Sequence, residues 1–317
     1  SQCSDITNVL YLAEKTKKID NRIKVIVGGI QATISPEAYF NRNVDYVFKS
    51  TTRENYKQLM EQIENDTDEE IMGIFSKKRQ YQSTLPSCQN EYVKPDREMS
   101  AKYRKKYKYG GYQPYATIQT SYGCRNHCTF CIRRKLEGKL TERNIEEVVQ
   151  EMQGIKEDTI MICDSDFLIN ESRLIKFCDL LEKENMKKTF ICYGSVNSIL
   201  EKEYLFERLS KNGVKAVIVG LESFSDAFLK SYNKSATLDE NYKAVQILKR
   251  NGIATWGTFI LHPDFSKEDF KNFRKYLKFL KPEMISFTPL VPHFLTPLYE
   301  QYKDRLIYPK DDYEPWS

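Results

Sequence analysis

Apolar positions along the chain fall into stretches with helical spacing that alternate with short runs rich in β-branched residues, and this order predicts an α/β protein. Within residues 1–87, Val9, Leu10 and Ala13 share one helical face, and Ile23–Val27 reads as a strand ending at the Gly28-Gly29 turn. A short helix follows, with Ser35 placed to cap it and Pro36 at its first position; a second strand covers Val44–Phe48, and a further helix from about Thr52 carries Leu59, Met60 and Ile63. Two or three strands cannot by themselves build a parallel sheet covered on both faces. The segment is therefore read as an incomplete doubly wound (Rossmann-like) α/β domain.

From Ala116 onward a strand-then-helix unit recurs. The expected strands are Ala116–Thr120, Thr159–Cys163, Thr189–Tyr193, Val214–Val219, Ile253–Leu261 and Met284–Thr288. The helices between them show one apolar face, as in Ile145, Val148, Val149 and Met152, or Phe270, Phe273, Leu277 and Leu280. Asn144 with Glu147 and Thr237 with Glu240 have capping-box spacing, and Gly213 and Gly252 stand where helices should stop. Six strands with helices outside predict a partial (β/α)6 TIM-like barrel over residues 116–317, with functional groups at the C-terminal strand ends. Residues 88–115 hold Pro95, Gly110, Gly111 and Pro114 among tyrosines and charges without a sustained period, and read as a linker.

Composition narrows the class. The 317 residues carry 49 Lys+Arg against 44 Asp+Glu, a net charge of +5, and 40% are hydrophobic, which argues against disorder. The longest apolar-plus-glycine run, Ala216–Leu221, falls far short of the roughly 18 residues that cross a bilayer. No signal-peptide pattern opens the chain, and a cytoplasmic location is expected. The first residue is Ser1 rather than Met, so the expectation is a piece of a longer chain or a reduced N-terminal domain. Lys102, Arg104, Lys105, Lys106 and Lys108 interleave with Tyr103 and Tyr107; a solvated linker accounts for such a run, and no nucleic-acid partner is expected.

Eight cysteines are too few for a disulfide-built fold of this length and fit a reducing compartment. Cys163, Cys178 and Cys192 sit among apolar neighbours and read as core residues. Cys124, Cys128 and Cys131 do not. They occupy Thr120-Ser121-Tyr122-Gly123-Cys124-Arg125-Asn126-His127-Cys128-Thr129-Phe130-Cys131, a C-x3-C-x2-C spacing directly after the first barrel strand. Two metal chemistries suit it. A structural zinc wants four closed ligands, with His127 as the nearby fourth. A 4Fe-4S cluster on three thiolates leaves one iron free for a substrate or cofactor.

This loop, its place in the barrel and Phe130 before the last cysteine resemble the radical S-adenosylmethionine (SAM) superfamily. The resemblance implies that Cys124, Cys128 and Cys131 ligate a 4Fe-4S cluster, that SAM binds the open iron through its amino and carboxylate groups, and that Phe130 lies beside the adenine. It implies that one electron entering the sulfonium releases methionine and a 5'-deoxyadenosyl radical. Asp164-Ser165-Asp166-Phe167 stands where relatives contact the methionine moiety, so Asp164 and Asp166 are candidate SAM contacts; an N-cap role is the local alternative. Gly220-Leu221-Glu222-Ser223 matches the family's Gly-x-Glu-Ser pattern. Glu222 is the candidate partner of SAM, because a buried strand-end carboxylate needs a cation. Arg143 and Glu151 could orient the SAM carboxylate or each other, and Ser195 and Asn197 follow the third strand. Lys234 stands where relatives often carry a lysine, but an exposed helix-end lysine is the commoner reading and it is left out. His262 and His293 replace residues usual in the family, and the packed-turn reading is preferred to a role in specificity.

Lys94-Pro95-Asp96-Arg97-Glu98 with the tyrosines after it, and Val25–Thr33 with Val44–Val47 before it, are similar to the B12-type radical SAM enzymes, which carry a cobalamin-binding domain ahead of the barrel. The Asp-x-His-x-x-Gly motif for a lower axial ligand is absent, and the histidines are His127, His262 and His293. The resemblance thus implies an enzyme that cleaves SAM reductively to begin methylation or rearrangement of a small-molecule or peptide-like substrate. Cobalamin is an optional cofactor, and the electron donor would resemble flavodoxin or ferredoxin. Two other readings stand beside it: a zinc-stabilised scaffold with a vestigial barrel, and a radical SAM enzyme acting on RNA through the basic linker.

Overall fold

The structure, a computed structural model, describes residues 6–82 and 92–306; Cys3 and Cys88 lie outside them. Two compact units divide the chain, one formed by Ser1–Lys94, Lys135–Gly138 and Val291–Ser317, the other by Pro95–Arg134 and Lys139–Leu290.

In the first unit α1 (Ile6–Ile19), β1 (Ile26–Val27), α2 (Ile30–Ile34), β2 (Tyr46–Phe48), α3 (Arg53–Asn65) and β3 (Ile74–Ser76) follow in order. The strands form one sheet in the order β1-β2-β3, with β1 and β2 parallel and β3 antiparallel to β2. β3 was not expected from the sequence. Its three residues follow Gly73 without an alternating pattern long enough to read. Pro36 opens a 3-10 turn, Pro36–Tyr39, distinct from α2, and the Ser35 hydroxyl bonds Glu37 instead of capping it. Thr52 caps α3 through a full capping box with Asn55.

In the second unit six parallel strands stand in sequence order: β4 (Tyr115–Ile118), β5 (Thr159–Ile162), β6 (Thr189–Gly194), β7 (Val214–Glu222), β8 (Ala254–Leu261) and β9 (Met284–Pro289). This is the expected partial (β/α)6 barrel, a curled half-barrel, each strand within a few residues of its expected limits. Helices α4 (Ile145–Gln153), α5 (Glu171–Lys183), α6 (Val196–Glu201), α7 (Phe206–Lys211), α8 (Asp226–Ser231), α9 (Leu238–Arg250) and α10 (Lys267–Leu280) connect them. Strand periodicity sorts the core: Phe190, Cys192, Val217 and Val219 face the helices, while Met161, Ile191, Ala216 and Ile218 line the other face of the sheet. Cys178 and Cys192 are buried as expected, and Cys163 is half-buried. Thr237 and Glu240 form the full capping box; Asn144 caps α4 by accepting from the Glu146 and Glu147 amides.

The segment read as a linker belongs largely to this unit. Tyr109 and Tyr112 exchange backbone hydrogen bonds at 3.0 Å and pack with Tyr115, Tyr193, Trp256 and Met284 on the sheet's inner face. An incomplete barrel leaves that face bare, and the aromatic hairpin covers it, which no local period could announce. Arg104, counted above in the basic run, is buried in an ion pair with Glu157, so the run is not a continuous basic face. No helix among the described residues is long and apolar enough to cross a membrane.

Candidate active site

The cysteine loop leaves the end of β4 and returns to α4 through a two-stranded ladder, Ser121–Tyr122 against Thr141–Glu142. Gly123 sits at its neck with φ +80°, and a Cβ there would stand 2.6 Å from the Lys139 carbonyl group. Only glycine passes that point without opening the ladder. On the far side the Thr129 amide donates to the Tyr232 carbonyl at 3.0 Å and the Asn233 amide group to the His127 carbonyl at 2.9 Å. The loop is thereby held against the turn that follows α8. Phe130 meets Tyr232 edge-on, ring centroids 5.7 Å apart.

Cys124, Cys128 and Cys131 are free and half-buried. Burial pushes all three thiols up, Cys128 to about 11, while the Lys234 cation pulls Cys124 and Cys128 back and Arg133 does so for Cys131. The Cys124 Sγ also accepts from the Asn126 amide at 3.4 Å.

Glu222 reaches the same place by a different device. β7 and β8 slip register between Thr258, paired with Gly220, and Phe259, paired with Glu222, so Leu221 bulges out. The Ser223 amide closes back on the Leu221 carbonyl at 2.7 Å, and Glu222 takes φ +58°. Buried Asn241 of α9 donates to that same carbonyl at 3.1 Å. Such a backbone is costly for a residue with a side chain and persists where the surroundings enforce it. The Glu222 carboxylate lies 3.3 Å from the Lys234 ammonium. Burial pulls Lys234 down, but Glu222, Cys128 and Cys124 outweigh it and its pKa ends above the ordinary lysine value. Lys234 is therefore neither exposed nor incidental, a correction to the sequence reading. The cation that a buried strand-end carboxylate requires comes from the chain itself. Two signals in the sequence pointed to it: the unbalanced Glu222, and the lysine that relatives often carry at this position. With Asn126, Cys128, Ser195, Asn197, Asn233 and Ser235, Lys234 lines a small cleft.

Asp164 and Asp166 are both buried and both engaged by the protein. Asp164 accepts from the Thr120 amide at 2.6 Å and from the Thr120 and Ser121 hydroxyls at 2.5 and 2.7 Å, which ties the ends of β4 and β5 together. Asp166 caps the turn Phe167–Ile169 through the Leu168 amide, and accepts from the Ser198 hydroxyl at 2.8 Å. Burial pushes both carboxyls up, and these donors pull them back. Arg143 and Glu151 orient one another at 2.8 Å, joined by Arg97 at 2.9 Å. His262 packs beside Phe228 and Phe265 and accepts from the Asp264 amide at 3.1 Å, a packed turn as preferred above. His293 contributes its carbonyl to the Thr296 turn, and burial pushes its ring pKa down.

Among the described residues, no three Cys, His, Asp or Glu side chains are gathered as ligands of a single metal ion. A cubane cluster places each thiolate on a different iron, so its sulfurs stand farther apart than the ligands of one ion. Three thiols on one pinned loop, with a lysine facing them, are a donor set that fits such a cluster.

A family model described as the radical SAM superfamily matches residues 118–277, just over half of the chain. The chain belongs to the radical SAM superfamily. The cofactors of this family are a 4Fe-4S cluster and SAM. An uncharacterised methyltransferase of Pyrococcus horikoshii is 27% identical over 312 residues, covering 93% of this chain and 67% of that protein. Two solved structures share the radical SAM fold at low identity. One is the radical SAM methyltransferase TsrM from Kitasatospora setae with cobalamin and a [4Fe-4S] cluster bound, at TM-score 0.72 and 15% identity, covering 95% of this chain and 61% of that one. The other is the cobalamin-dependent radical SAM enzyme OxsB with aqua-cobalamin and SAM bound, at TM-score 0.76 and 17% identity, covering 98% and 53%. The chain spans between about half and two thirds of the length of these relatives.

Proposed function

We propose that the protein is a radical SAM methyltransferase, in which Cys124, Cys128 and Cys131 hold the cluster and Glu222 meets the amino group of SAM. The observation that carries this reading is the thiol loop, pinned at Gly123 and tied to the turn that carries Lys234, whose ammonium lies 3.3 Å from Glu222 and lines a cleft together with Cys128. A bound cluster with one iron free of protein ligands supplies the electron that splits the sulfonium of SAM. The chain's own part is placement. The loop neck fixes the thiols, the β7 bulge fixes Glu222, and Phe130 offers an aromatic face to the adenine. Asp164 and Asp166 act behind the cofactor, holding the strand ends and the Ser195–Ser198 turn that forms one wall of the cleft.

Methylation is favoured over rearrangement by the named activities of the Pyrococcus relative and of TsrM. Cobalamin is the further cofactor we infer, from the likeness to TsrM and OxsB. Gly28-Gly29 follows β1 as a turn whose missing side chains allow close backbone approach to a ligand, and residues 1–94 contain no histidine. The substrate is a small or peptide-like molecule, the reductant a small electron carrier such as flavodoxin or ferredoxin, and the location cytoplasmic.

Anaerobic loading with iron and sulfide, then reductant and SAM, should yield 5'-deoxyadenosine, and Cys128→Ala should abolish that yield. A fully loaded wild-type sample that leaves SAM intact under reduction would overturn the reading. One zinc per chain in place of iron and sulfide would restore the scaffold alternative.

A further inference from the structure

The inner face of the half-barrel carries chemistry that the proposed site leaves unused. β5 and β6 stand between β4, which launches the cysteine loop, and β7, which ends at Glu222. Cys163, directly after β5, and Tyr193, within β6, pack on the inner-face apolar cluster with Tyr109, Tyr115 and Trp256. Ile162 pairs with Cys192, so the next residue on each strand, Cys163 and Tyr193, are neighbours across the ladder. The Tyr109 phenol is hydrogen-bonded to that of Tyr193, and its ring stands 5.0 Å from Trp256, centroid to centroid. Each of these side chains is half-buried, a lining rather than a sealed core. Burial and the neighbouring Asp164 push the Cys163 thiol up, while burial and the Tyr193 hydrogen bond push the Tyr109 phenol up, so both groups hold their hydrogen at neutral pH. Arg133, two residues past Cys131, pulls both Cys131 and Cys163 back, which places this fourth thiol within reach of the same cation as the loop.

We propose that Cys163, with Tyr193 and Tyr109 behind it, is a hydrogen-atom donor that quenches the 5'-deoxyadenosyl radical when no substrate fills the barrel. The inference rests on the site reading given above. The 5'-carbon radical takes the hydrogen atom of the Cys163 S–H bond, giving 5'-deoxyadenosine and a thiyl radical. The thiyl takes the hydrogen atom of the Tyr193 O–H bond, which restores the thiol, and Tyr109 shares the resulting tyrosyl radical across its hydrogen bond. One electron from the small electron carrier that serves the cluster, with one proton from water, returns the phenol. The first step runs downhill, because the C–H bond formed is stronger than the S–H bond broken; the second is near balance, because S–H and phenolic O–H bonds are similar in strength. A radical that instead took hydrogen from an aliphatic side chain or a Cα would leave damage that no electron carrier repairs.

The test uses the full chain, loaded anaerobically with iron and sulfide and given SAM and dithionite in heavy water, with no substrate added. Thiol and phenol hydrogens exchange with that solvent, and carbon-bound hydrogens do not. Wild type should therefore release 5'-deoxyadenosine carrying deuterium, read by mass spectrometry. Cys163→Ser keeps an exchangeable hydrogen but holds it in a bond too strong to give up, so most of the label should be lost; Cys163→Ala should behave alike. Freeze-quenched wild type should show a tyrosyl signal by electron paramagnetic resonance, and Tyr193→Phe should remove it. Unlabelled product from wild type, or equal labelling in wild type and Cys163→Ser, would overturn the proposal, whereas a loaded wild type that forms no 5'-deoxyadenosine at all would overturn the site reading beneath it. A further readout needs no cluster. In the metal-free chain with Trp316→Phe, which leaves Trp256 as the one tryptophan, azide radicals from pulse radiolysis oxidise the indole, and its absorbance should pass to that of a tyrosyl radical. Tyr109→Phe should slow this transfer, and an unchanged rate would overturn the relay. If neither Cys163 variant folds, the loss of the tyrosyl signal in Tyr193→Phe decides: its persistence refutes the donor set.

Discussion

Glu151 offers a direct measure of how the barrel holds the base of the cysteine loop. Its carboxylate, 3% exposed, accepts from Arg143 at 2.8 Å and from Arg97 at 2.9 Å. Arg143 also donates to the Gln119 carbonyl at 2.6 Å and Arg97 to the Thr117 carbonyl at 2.9 Å, so the network clamps α4 to the end of β4 just before the loop begins. Removing one member of a buried ionic network costs about 3–5 kcal/mol, because the remaining charges stay buried without their counterion. Both arginines keep a backbone carbonyl, which places Glu151→Ala near the lower end, about 3 kcal/mol, or a fall in melting temperature of about 6–12 °C for a unit of this size. Glu151→Gln keeps one acceptor oxygen and should lose about 1–2 kcal/mol. Urea unfolding of the metal-free protein, followed by circular dichroism at low and high salt, measures both. The loss should be nearly insensitive to salt, since the pairs are shielded from solvent. A Glu151→Ala protein within about 0.5 kcal/mol of wild type would refute the claim that this network anchors the loop.

Gly123→Ala should open the loop neck: a Cβ at 2.6 Å from the Lys139 carbonyl and a left-handed φ together cost about 2–4 kcal/mol locally, read as loss of iron uptake with the helical signal retained. Full iron loading in that variant would count against the neck. Gly213→Ala, with its Cβ 2.0 Å from the Lys188 carbonyl and φ +95°, should destabilise the whole barrel unit, read in the unfolding midpoint. The Cys178 thiol, pushed up to about 11 by burial, prefers to stay protonated in the fold. The folded state therefore holds its proton more tightly than the unfolded chain, and the stability this adds is full below about pH 8.5 and lost as pH rises toward 11, up to about 3 kcal/mol. Urea titrations across that window should show a steeper decline in wild type than in Cys178→Ala; equal slopes would contradict the burial argument.

Much of this protein is set by residues close together in the chain. The six barrel strands, the Thr237–Glu240 cap and the helix stops at Gly213 and Gly252 follow from local patterns of apolar and turn residues. The C-x3-C-x2-C loop is equally local, since its three thiols lie within one turn-sized segment whatever the rest of the chain does. What the tertiary structure decided are contacts between segments far apart in sequence: Tyr109 and Tyr112 covering the sheet's inner face, Asp164 bonded to Thr120 and Ser121, and Lys234 neutralising Glu222. A buried charge must find a partner, and a bare apolar face a cover, but neither requirement says which distant residue will answer it. The lysine looked exposed because the sequence shows its neighbours along the chain; only the fold shows the carboxylate and the thiols that surround it.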